Sequence, residues 1–149
     1  MLKNKLKDNK SRLLFYGLTP PKKNHNKEKV QEISNKHINR IKLLDIDGII
    51  LYDIQDESNR TNQIRPFPFL ETIESSIYAR DYLDILNIPI IVYKAIGKYN
   101  KNTFISWLKE TRNKEYYSIF VGSASSNCNN ELSLNDVYNF KKNYNKDLI

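Results

Sequence analysis

Four short apolar runs, with stretches of helical period between them, constrain this chain more than any other feature. They lie at 13–18 (LLFYGL), 48–54 (GIILYDI), 88–96 (IPIIVYKAI) and 116–121 (YYSIFV). Each is apolar at consecutive positions, the pattern of a strand buried on both faces. Thr19-Pro20-Pro21 and Gly122-Ser123 punctuate the first and the last. Between them the period changes. Val30, Ile33, Ile38, Ile41 and Leu44 predict a helix over 27–44, and Ile77, Tyr78, Tyr82, Ile85 and Leu86 predict one over 74–87. Thr103 is a candidate cap for a third, with Phe104, Trp107, Leu108 and Thr111 on its apolar stripe. Ser133-Leu-Asn-Asp136 approximates a capping box for a fourth, faced by Leu134, Val137, Tyr138 and Tyr144.

Doubly buried strands alternating with helices predict an α/β fold of four βα units around a parallel sheet. The repeat is roughly 35 residues, and eight such units make a (β/α)8 TIM barrel. The 149 residues hold four. The expectation is either a small open sheet or the first half of such a barrel, with a basic arm at 1–11 and the (β/α)4 domain over 12–149. A half barrel leaves its first and fourth strands unpaired. A homodimer or a separate C-terminal half would cover them, and a truncated product is the remaining alternative.

Charge, cysteine and hydropathy narrow the class. Residues 1–42 hold 12 Lys/Arg against 3 Asp/Glu, so the chain's +7 is concentrated there. Such an arm attracts polyanions in general. No zinc-finger spacing or RNA-binding aromatic motif accompanies it, which argues against nucleic acid as partner. The single Cys128 excludes an internal disulfide and a cysteine zinc site. His25 and His37 lack metal-ligand spacing, and no metal is expected. No apolar run reaches the ~18–20 residues that span a bilayer, so no membrane role and a cytoplasmic location are expected. With only 4 glycines, the dinucleotide fingerprint and the phosphate-binding loop are both missing.

In parallel α/β folds ligands meet the carboxyl ends of the strands. Two features stand out there. Asp53, Asp56 and Glu57 crowd the second strand's end, with Arg60 and Arg65 beyond. Crowded carboxylates raise one another's proton affinity and suit a general acid; the alternative is a solvated loop neutralised by the arginines. Lys94 interrupts an apolar strand. A buried ammonium needs a carboxylate or a ligand, so Lys94 is either a site residue or the partner of Asp53 or Asp56. His37 and Trp107 read as core. Phe67 and Phe69, flanking Pro68, either pack over the strand ends or stack on a planar ligand.

These ends resemble the methylenetetrahydrofolate reductase family, specifically a diverged branch. The likeness rests on Tyr16-Gly17-Leu18-Thr19-Pro20-Pro21, on Tyr52-Asp53-Ile54-Gln55-Asp56-Glu57-Ser58-Asn59-Arg60-Thr61, on Arg65-Pro66-Phe67-Pro68-Phe69 and on Val92-Tyr93-Lys94. It covers about residues 12–126. It implies a (β/α)8 barrel and an oxidoreductase of folate one-carbon metabolism, with hydride passing to a pterin-linked methylene group. FAD and NAD(P)H are its implied cofactors and a folate-type small molecule its partner. On this resemblance Glu57 donates a proton, and Lys94 and Asp53 complete the catalytic set. Thr19, Gln55, Asp56, Arg60, Thr61, Arg65 and Ser123 contact substrate. Two family carboxylates are replaced, by Gly17 on the first strand and Ser123 after the fourth. The alternative is a non-catalytic, truncated or partner-binding half barrel.

Overall fold

In a computed structural model the described residues are 2–8, 12–56, 64, 66–112, 117–122 and 131–149. Four strands, β1 (Phe15–Leu18), β2 (Gly48–Leu51), β3 (Ile90–Ala95) and β4 (Tyr117–Val121), form one sheet in the order β1-β2-β3-β4. Every pairing is parallel, with Gly17 opposite Ile50, Ile50 opposite Ile91, and Ile91 opposite Tyr117. The helices are α1 (Leu2–Lys7), α2 (Lys27–Ile41), α3 (Ser75–Tyr78), α4 (Lys101–Glu110) and α5 (Leu134–Tyr144).

Because strand side chains alternate between faces, the sheet has two distinct sides. Leu18, Ile49, Leu51 and Val92 face the helical layer, where Val30, Ile38 and Ile41 of α2 and Tyr78 of α3 close on them. Further along, Phe104 and Leu108 of α4 pack with Val137 of α5, Leu132 and Leu148 beside Phe120. Among the described residues, the opposite side is covered at its amino-terminal end. There Leu2, Leu13 and Ile149 pack on Phe15, Ile50, Ile91 and Tyr117. Within the segment expected as a basic arm, residues 2–7 are therefore helical, Leu2 is buried, and Lys5 Nζ lies 2.6 Å from Asp47 Oδ1. After α5 the chain returns to the sheet, where Ser118 N donates to Ile149 O at 2.7 Å. Ile49 N makes the equivalent bond to Pro89 O ahead of β3.

Three expectations are corrected. The helix expected over 27–44 ends at Ile41. The helix expected over 74–87 is broken: α3 passes into a π turn at Ala79–Leu83 and a 3₁₀ turn at Asp84–Leu86. The wide turn brings residues five apart into register, so both Tyr78 and Leu83 reach the core. Asn87, left-handed at φ 49°, stops the segment. Third, α4 is capped by Asn100 rather than Thr103, the Asn100 side chain accepting from Thr103 N at 2.9 Å. The Ser133–Asp136 capping box forms as expected, with both reciprocal bonds made.

Candidate ligand-binding site at the carboxyl ends of the strands

The loop after β1 is held by the segment leading to α3. Lys22 and Thr72 form an antiparallel bridge, and Ile73 N donates to Pro21 O at 2.9 Å. Ser75 Oγ then donates to Tyr52 O at 3.2 Å, tying the start of α3 to the end of β2. These bonds gather the ends of β1, β2 and β3.

Lys94 is 1% exposed and belongs to the helical side, as the alternation from Val92 requires. Its ammonium donates to Glu74 Oε1 and, at 3.4 Å, to the Tyr99 hydroxyl. It also sits 4.4 Å from the Trp107 ring centre and 4.9 Å from that of Tyr99, close enough for cation–π attraction. Glu74 in turn caps α3, accepting from Ile77 N at 3.0 Å, and receives Ser76 Oγ at 2.9 Å and Tyr99 Oη at 3.1 Å. Burial raises the Glu74 pKa, but the neighbouring Lys94 ammonium and the Ser76 donors outweigh it and hold the carboxyl below its usual range. Burial lowers the Lys94 pKa, with Glu74 and Asp53 opposing that shift.

The expected partnership of Lys94 with Asp53 or Asp56 is thus corrected: Glu74 holds the lysine. Asp53, 8% exposed, accepts from Ala95 N at 2.9 Å and from the Lys98 ammonium. Lys98 Nζ also reaches Ile54 O at 3.1 Å. Asp53 therefore extends the β2–β3 pairing beyond the strand. Glu74 was missed because it stands twenty residues from Lys94 in a loop-to-helix junction. The available signal was an acidic residue placed to cap a helix.

The other face is different. Register places Tyr93 opposite Ile119 in β4, and Tyr52 meets Tyr93 edge-to-face at 5.2 Å and 87°. Tyr52 is 41% exposed and Ile119 38%. Thr19 is half-buried and Asp56 exposed. Gln55 Nε2 donates to Gly122 O at 3.1 Å, linking the ends of β2 and β4. The result is an open aromatic surface whose rim carries Thr19, Gln55 and Asp56. Glu57, Arg60, Thr61, Arg65, Ser123 and Cys128 lie outside the described residues. Phe67 is exposed, Phe69 and His37 are half-buried, and His37 Nδ1 lies 2.9 Å from the hydroxyl of the buried Tyr78.

A cavity of about 570 Å³ lies elsewhere. It runs along the outer side between α3 with its π turn and α4, over Ile90 and Val92 down to Leu2. Among the described residues no cluster of three His, Cys, Asp or Glu side chains is arranged to hold a metal. Nor is any helix there long and apolar enough to cross a membrane. Asn100 and Glu74 fill the amino ends of α4 and α3, and Lys94 and Lys98 are bound to carboxylates.

No protein-family profile and no curated protein matches the chain. It is similar to a solved structure of an uncharacterized protein from Clostridium thermocellum that binds two copies of 5-methyl-5,6,7,8-tetrahydrofolic acid. The identity is 40% and the TM-score 0.83, over 100% of this chain and 46% of that one. The present chain spans about half the length of that relative.

Proposed function

We propose that this chain binds a reduced folate at the carboxyl end of its sheet, on the face left open around Tyr52, Tyr93 and Ile119. The observation that carries the reading is the end-to-end likeness, at 40% identity, to a protein that binds 5-methyltetrahydrofolate. The site chemistry agrees with it: an aromatic floor suits a flat heterocycle, and the Thr19, Gln55 and Asp56 rim offers polar partners. Calorimetric titration with 5-methyltetrahydrofolate tests the reading. Saturable binding supports it, and no heat at millimolar ligand rejects it.

Two finer readings belong to the same proposal. The unit is half of a (β/α)8 barrel; the 1-2-3-4 parallel order and the one-sided helical layer support this, as does the 46% coverage of the longer relative. The chain is also of the methylenetetrahydrofolate reductase type, which the four ordered motifs support. Proton donation would then fall to Glu57, since Asp53 and Lys94 are engaged in ion pairs. Reductase activity calls for NAD(P)H and a flavin; purified protein that is yellow and oxidises NAD(P)H in the presence of methylenetetrahydrofolate supports this step. A colourless, inactive protein that still binds folate leaves a binding module.

A further inference from the structure

Gly17 and Tyr52 share one volume. A Cβ built on Gly17 would stand 2.7 Å from Tyr52 Oη, 2.9 Å from its Cε2 and 3.1 Å from its Cζ. The Tyr52 ring therefore leans from the end of β2 across β1, into space that any side chain at position 17 would claim. Its orientation is fixed on the other flank by the Tyr93 edge-to-face contact. Tyr52 is nonetheless 41% exposed, so ring and hydroxyl remain accessible from the open side. A large aromatic held on two sides and accessible from the third offers a fixed ring surface to a flat heterocycle.

We infer that Tyr52 is the ring-binding residue of the site: the bicyclic pterin packs against the Tyr52–Tyr93 pair, and the Tyr52 hydroxyl donates a hydrogen bond to its edge. Gly17 is then a positioning residue, whose missing side chain leaves room for the hydroxyl edge of Tyr52. The inference rests on the folate-binding reading and deepens it by assigning the heterocycle, not the aminobenzoylglutamate tail, to this notch.

The test is titration of the full chain with three probes: 5-methyltetrahydrofolate, 6-methyltetrahydropterin, which lacks the tail, and p-aminobenzoylglutamate, which lacks the ring. Tyr52→Phe keeps the ring contact and loses the hydroxyl, so affinity for both pterin-containing probes should fall a few-fold to about tenfold. Tyr52→Ala should lower it by about tenfold or more, leaving the tail probe unchanged. Gly17→Ala removes no polar group, yet should weaken the pterin probes by displacing the ring. Thermal melts of each variant confirm folding, and Tyr52→Phe keeps the test open if Tyr52→Ala does not fold. Wild-type binding that survives all three substitutions overturns the inference, as does a loss confined to the tail probe; either leaves folate binding intact. No folate binding by the wild type overturns the site reading, and the inference with it.

Discussion

The Lys94 ammonium is held by the Glu74 carboxylate beneath the end of the sheet, and that same carboxylate caps α3. One side chain thus neutralises a buried cation and starts a helix. The first turn of α3 is consequently locked to β3, and the two cannot be repacked independently.

Unequal costs follow for the two halves of the pair. Glu74→Ala strands an ammonium that is 1% exposed and uncaps α3, so it should destabilise by about 3–5 kcal/mol. Lys94→Met should cost less, about 1–3 kcal/mol. The methionine fills the apolar path, and Glu74 keeps its bonds from Ser76, Ile77 and Tyr99. Urea unfolding midpoints rank the two, and equal costs would contradict the dual role.

The pair also sets an acid limit. The folded Glu74 pKa lies below its ordinary 4.5. Its contribution to stability is then complete above that value and disappears as pH falls from there through the folded pKa. Stability measured at pH 7 and pH 3 should differ less in Glu74→Gln than in the wild type. Asp47 and Asp136, also depressed by their bonded neighbours, keep part of the difference in both.

Gly48 opens β2 where two backbones nearly touch. A Cβ there would fall 2.8 Å from the Pro89 carbonyl oxygen, the acceptor for Ile49 N. Backbone cannot swing aside as a side chain can. Gly48→Ala should therefore cost about 1–3 kcal/mol, read as a lower denaturant midpoint, with hydrogen exchange accelerated first at Ile49.

The capping box on α5 gives a local control. Ser133→Ala removes the Oγ bond to Asp136 N at 3.1 Å. It should lower stability by about 1 kcal/mol without altering ligand affinity, because α5 lies on the helical side.

The sequence by itself determined the four strands and the helices between them in outline, though not the break of the 74–87 segment into α, π and 3₁₀ turns. The consecutive apolar residues of 48–54 and 88–96, alternating with segments of helical period, announce parallel strands under helices, although one face of the sheet stays open at Tyr52 and Ile119. Ser133 with Asp136 announces a helix start, because that bonding pattern closes within four residues. The tertiary structure alone decided which charges meet. Lys94 stands apart in its strand, but nothing local selects Glu74 over Asp53 or Asp56; the choice depends on how the Pro21–Ile73 and Ser75–Tyr52 bonds bring α3 against β3. It likewise decided that Asp53 and Lys94 serve the helical side while Tyr52 and Tyr93 form the open one. Alternation in a strand separates neighbours onto opposite faces, but only packing determines which face becomes covered, since burial is a property of the assembled layers and not of any one segment.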